Sequence, residues 1–189
     1  MRMLNNIQLS PHFSLLELTE SATARQRDIA NIPPPEAIEN LKRLCKGTLE
    51  PLRKALGLPV IITSGYRCKE LNNIVNRSSK TSQHMLGQAA DFYISDEGAM
   101  RQSRGSRVKV QCGKAAVQDS KVLGRRELLI MGFRLIILNE DIDYDQLILY
   151  PTFIHVSYVS RSKNRRKIIK ANGHGSYCTV TREAALCLS

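Results

Sequence analysis

The 189-residue chain has no tryptophan and only four phenylalanines and six tyrosines. Proteins that grip single strands stack bases on aromatic rings, so this scarcity argues against nucleic-acid binding in spite of the basic charge. A Cys-x-x-Cys pair is also missing. The five cysteines, Cys45, Cys68, Cys112, Cys178 and Cys187, are odd in number and scattered. They suggest neither a disulfide framework nor a thiolate zinc knuckle, and reduced thiols are expected. The longest apolar run, Leu128 to Leu138, is interrupted by Gly132 and Arg134 and is too short to span a bilayer. Asn5, Asn6 and Gln8 stand where the apolar core of a secretory signal would run. The expectation is a soluble protein, cytoplasmic as synthesised, with no membrane span.

Hydrophobic residues make up 42% of the chain, enough for one domain with a real core. The 28 Lys and Arg outnumber the 17 Asp and Glu, giving a net charge of +11. Long-range attraction to an anionic partner follows, and nucleic acid, anionic cell-wall polymer and acidic membrane all fit that charge. Most of the excess lies in Arg101 to Arg126 and Arg161 to Lys170. The reading is a single domain over residues 8–170 with a basic insertion near 97–126 and a frayed tail at 171–189.

Ser14-Leu-Leu-Glu17 has the form of a capping box and predicts a helix from Leu15 to about Arg27. After Pro33, Pro34 and Pro35 a second helix is expected, with Ile38, Leu41, Leu44, Cys45, Leu49, Leu52 and Leu56 mostly on one face and Gly57 as its stop. Pro59 to Ser64 reads as a buried strand. A short helix near Lys69 to Val75, a loop over 76–83 and a strand at Ala89 to Ile94 follow. Glu127 to Asn139 predicts a deeply packed helix. Tyr144 to Tyr150 and Phe153 to Tyr158 predict an antiparallel pair joined at Pro151-Thr152.

Of the four histidines, His12 and His174 sit in polar terminal segments and read as surface residues. His155 lies within an apolar strand, on the face of Phe153 and Ser157. A core histidine bonded to its neighbours is one reading of it. His84 and Asp91 stand seven residues apart around Gly87. On a straight helix that spacing would separate them by about 10 Å, too far for one ion. A turn at Gly87 would instead fold His84 back over Asp91. With His155 added, the set is two imidazoles and one carboxylate, which suits zinc with an open fourth position.

Three segments in order, Ser64-Gly-Tyr-Arg67, Ser82-x-His84-x-x-Gly87-x-Ala89-x-Asp91 and Phe153-Ile-His155-Val-Ser157, resemble the zinc D-alanyl-D-alanine carboxypeptidase family. That family includes dipeptidases and phage endolysins and shares its zinc fold with the Hedgehog signalling domain. Phe13-Ser-Leu-Leu-Glu17, Pro51-Leu-Arg53, Tyr144-Asp-Gln-Leu-Ile148 and Asn164-Arg165 also look like its phage and prophage branch. The resemblance implies an α+β fold, with a small antiparallel sheet carrying a zinc site and helices packed on one face. It implies His84, Asp91 and His155 as Zn²⁺ ligands and Arg67 facing the scissile carbonyl. Arg67 also reads as a surface partner of Glu70, and Ser82 as either a substrate contact or a loop cap.

The expected function is zinc-dependent hydrolysis of peptidoglycan stem peptides, as a D,D-carboxypeptidase or an endolysin-type endopeptidase acting at the cell wall after release. One departure bears on it. Many members carry an acidic residue three positions before the last histidine, where this chain has Thr152, which cannot serve as a general base. Asp145 is the first substitute and Tyr150 the second, although Asp145 could equally hold Gln146 or a loop amide. The rival reading is a non-catalytic zinc-bearing module that binds cell wall or serves as a phage structural part. A nucleic-acid-binding protein, the third, predicts salt-dependent DNA binding that survives His84→Ala.

Overall fold

The computed structural model describes residues 7–75, 79–95, 124–172 and 175–188. A two-stranded hairpin, β1 (Gln8–Ser10) and β2 (Phe13–Ser14), leads into α1 (Leu15–Thr19). The Ser14 hydroxyl caps α1 by accepting from the Glu17 amide. The one long helix expected here is two short ones. Thr19 turns its hydroxyl back to the Leu15 carbonyl, Glu20 adopts an extended backbone, and Ser21 caps a new start at α2 (Ala22–Gln26).

Pro35 opens α3 (Pro35–Leu44) with its φ already set for a helix. The helix widens through a π turn at Cys45–Leu49 and continues as α4 (Glu50–Leu56) to Gly57. Pro51 explains the widening. It has no N–H to give the Gly47 carbonyl, which accepts instead from the Asp143 amide at 3.1 Å. Cys45 is wholly buried there, and its thiol is pushed up to about 12 by desolvation, so it is an inert core group. The four described cysteines are free thiols.

The remaining elements are β3 (Val60–Ser64), α5 (Lys69–Ile74), a 3₁₀ turn at Gln83–Leu86, β4 (Ala89–Ile94), α6 (Arg125–Leu138), β5 (Gln146–Leu149), β6 (Ile154–Ser157), β7 (Lys167–Ala171), β8 (Tyr177–Thr179) and α7 (Arg182–Leu186). Six strands form one sheet in the order β3-β4-β6-β5-β7-β8. The sheet is mixed rather than wholly antiparallel, because β5 and β7 run parallel. The segment beyond Ala171, read as frayed, contributes β8 and α7, and Ala185 of α7 is fully buried. Most of the basic insertion lies outside the described residues, as do His174 and Cys112.

Alternation gives the sheet two unlike faces. Val60, Phe92, Ile94, Leu147, Leu149, Ile154 and Val156 are buried in the main core with Leu129, Phe133 and Ile136 of α6 and Leu52 and Leu56 of α4. Phe133 has no exposed surface, and truncating such a ring costs about 3–5 kcal/mol. The other face carries Asp91, His155, Ile148 and Ile169 in one row of Cα partners across β4, β6, β5 and β7. No described helix is long and apolar enough to cross a membrane.

Candidate metal centre

Asp91 and His155 are direct Cα partners in the antiparallel pairing of β4 and β6, so their side chains leave the same face together. The His155 Nδ1 lies 2.7 Å from the Asp91 Oδ1. His84 arrives from the 3₁₀ turn, its Nε2 lying 3.2 Å from His155 Nδ1 and 3.3 Å from Asp91 Oδ1. Gly87 makes that approach possible. It ends the turn at φ +68, and a Cβ there would run into the Ala37 carbonyl of α3. A Cβ on Gly65 would strike the Leu18 carbonyl.

One ligand atom from each of the three side chains falls within 4.8 Å of the others, and no ion is present. Zinc bonds of about 2.0–2.1 Å in a tetrahedron separate ligand atoms by roughly 3.3 Å, so two of the three edges already match. The third is shorter because Asp91 and His155 meet as a hydrogen-bonded pair. The Nδ1 of His84 lies 2.7 Å from the Gly65 carbonyl, which can only accept. That fixes the proton on Nδ1 and leaves Nε2 a lone pair aimed inward, the usual support for a metal-binding imidazole. The donor set therefore fits zinc.

Electrostatics agree. Desolvation pushes the fully buried His84 imidazole below its ordinary value, against the pull of Asp91, so it is neutral near pH 7. Burial alone would raise Asp91, but the two histidines outweigh it and hold its carboxyl far below the usual range.

Asp91 and Arg67 line a cleft of about 610 Å³, whose walls include Leu16, Glu17 and Glu20 of α1 with its cap and Ile62 to Ser64 of β3. The Arg67 Nη2 meets the Ser82 Oγ at 3.4 Å, and its buried Nε has no hydrogen-bond partner among the described residues. No ion pair joins Arg67 to Glu70. Ser82 precedes the turn, yet its side chain makes no cap bond. Thr152 is exposed at the tip of the β5–β6 turn.

Asp145 is not in the convergent group. Its buried carboxylate accepts from Gln83 Nε2 at 3.0 Å, from the Arg165 amide and Nε at 2.9 Å each, and from Arg165 Nη2 at 2.5 Å. Burial would raise its pKa, but Arg165 and Gln83 hold it below the usual carboxylate value. Tyr150 lies on the His155 face of the hairpin, stacked on Phe153 with ring centroids 4.3 Å apart and edge-on to Tyr177. Desolvation and the Tyr177 contact keep its hydroxyl protonated above the usual tyrosine range, and Asp91 and Arg67 both lie close enough to act on it.

Sequence reasoning passed over Asn31, whose side chain brackets the Arg67 backbone, as well as the Gly65 carbonyl and Gln83. None of them had a signal in spacing or residue type.

The family model for peptidase M15 matches residues 11–121. The chain belongs to that family, a family of metallopeptidases, and His84 and Asp91 fall inside the matched span while His155 lies beyond it. No curated protein matches the chain, and no solved structure does.

Proposed function

We propose that this protein is a zinc peptidase hydrolysing the peptide stems of peptidoglycan, as a D,D-carboxypeptidase or an endolysin-type endopeptidase. The observation that carries the reading is the convergence of His84, Asp91 and His155, with Asp91 lining a cleft shared with Arg67, whose buried Nε has no partner among the described residues. Zinc, which His84, Asp91 and His155 would hold, would supply Lewis acidity and a more acidic water. Arg67 binds the scissile carbonyl oxygen and steadies the negative charge that develops there. Ser82 braces Arg67 and offers its hydroxyl to the peptide backbone. Hydrolysis adds the hydroxyl of water to the carbonyl carbon and a proton to the departing nitrogen. Tyr150, protonated and on the His155 face of the hairpin, is the group suited to relay it, giving its hydroxyl proton to that nitrogen and regaining the one that the water releases.

Arg161 and Lys163 are exposed between β6 and β7, and Lys167 is exposed at the start of β7. Such charge draws the protein to anionic wall polymer, in keeping with an enzyme that meets its substrate after release from the cell.

A second reading, a zinc module that grips wall peptide without cutting it, is favoured by Thr152 and by the full engagement of Asp145. Incubating the purified protein with peptidoglycan separates the two. New free amino groups whose release stops on chelation support the peptidase. No release from zinc-loaded protein overturns it in favour of the binding module.

A further inference from the structure

We infer that Asp145 is a positioning residue for the metal centre, tying the turn that carries His84 to the strand that carries His155 through the side chain of Gln83. The inference rests on the metal-site reading above. The 3₁₀ turn is held on one side by bonds from the first half of the fold. Asn40 of α3 donates to the Leu86 carbonyl at 2.9 Å, the Arg67 amide donates to the His84 carbonyl at 3.2 Å, and His84 itself donates to Gly65. These fix the turn against α3 and the β3–α5 loop. Against β6 the backbone gives one tie, the Tyr158 amide donating to the Gln88 carbonyl at 2.8 Å while the Gln88 amide donates to the Gln83 carbonyl at 3.0 Å.

Asp145 adds the side-chain link, the one that reaches the residue next to His84 itself. Its amide donates to the Ser157 carbonyl at 2.7 Å, two residues beyond His155 on β6. Its carboxylate receives Gln83, the residue before His84, at 3.0 Å. The carboxylate cannot swing, because Arg165 grips both oxygens with its guanidinium and one of them with its amide. A fixed path of Ser157, Asp145 and Gln83 therefore runs from beside one imidazole to beside the other. The separation of 3.2 Å between His84 Nε2 and His155 Nδ1 is the quantity it sets. A shift of a few tenths of an ångström there moves a ligand outside the distances zinc accepts.

Zinc alone is titrated into wild type, Gln83→Leu, Asp145→Asn and the double variant by calorimetry, with circular dichroism to confirm folding. Gln83→Leu leaves the Asp145–Arg165 grip in place and is the decisive variant. The expected result is zinc binding weakened about 10- to 100-fold by either single change, the usual effect of losing a support behind a metal ligand. The double variant is expected to be no weaker than Asp145→Asn, because both changes break one path. Cobalt in place of zinc should show altered visible absorption in Gln83→Leu. Wild-type zinc affinity in Gln83→Leu overturns the inference, including where Asp145→Asn fails to fold, since a role in stability alone lowers the melting temperature without changing the affinity of folded protein. Additive losses in the double variant overturn it as well. A wild type that takes up no zinc overturns the metal reading itself, a result distinct from zinc uptake by wild type and Gln83→Leu alike.

Discussion

Asn31 holds the backbone on both sides of Arg67: its amide donates to the Tyr66 carbonyl at 2.9 Å, and its oxygen accepts from the Cys68 amide at 2.7 Å. A third bond runs from the same amide to the Thr19 carbonyl at 2.8 Å. Asn31→Ala leaves these backbone groups without their partner, at about 1–3 kcal/mol. The denaturant midpoint is expected to fall, and peptide hydrolysis to fall further than the loss of folded protein explains. Unchanged activity per folded molecule would show that the loop holds Arg67 without Asn31.

Arg67→Ala separates binding of the ion from use of it. Arg67 is not among the convergent ligand atoms, so zinc uptake by calorimetry should stay at the wild-type level. Loss of a positioned donor to a developing oxyanion typically lowers kcat about 10²- to 10³-fold. Retained kcat in Arg67→Ala would remove the guanidinium from the reaction.

His84→Ala removes one of the three proposed ligands. Zinc affinity is expected to fall by more than the roughly 100-fold seen when only a supporting contact is lost. The fold should persist, because the turn keeps its backbone bonds to Arg67, Asn40 and Gly87. Equal zinc uptake by this variant, measured by dialysis and metal analysis, would place the ion elsewhere.

The pH dependence of stability follows from the same residues. Burial lowers the His84 pKa from 6.5, so as pH falls the unfolded chain takes up that proton before the folded one. The contribution is complete above 6.5 and is lost as the pH drops below it. Asp91 and Asp145 are held below 3.8, so their share persists to lower pH and is lost only beneath that value. In chelator, the denaturant midpoint should therefore fall in two stages, and His84→Gln should remove the first. A midpoint that does not change between about pH 7 and pH 5 would contradict the burial of a neutral His84.

The convergence of His84, Asp91 and His155 was legible in the sequence because each position depends on a strictly local rule. Alternation places His155 on the face of Phe153, and a glycine between His84 and Asp91 marks the turn that brings them together. The split between α1 and α2 was not legible, since Ser21 caps a helix only after Thr19 and Glu20 have left the preceding one. Strand β7 was hidden because Lys167-Ile-Ile-Lys-Ala171 looks like a basic tail until its parallel partner β5 is in place. The duties of Asp145 and Asn31 were out of reach for a different reason. Both are defined by partners at least a dozen residues away along the chain, Arg165 and Gln83 for one and Thr19 and Tyr66 for the other.

Gly87 and Gly65 press the two ends of the site against the carbonyls of Ala37 and Leu18, with no room for a methyl group at either. Redesign of the protein is correspondingly uneven. The backbone around the three convergent side chains is closed to change at the level of a single carbon atom. The exposed side chains of α1 and α2, and Pro151 and Thr152 at the hairpin tip, can be exchanged without touching it. A library that seeks new peptide preferences should vary those two rims and leave both glycines alone.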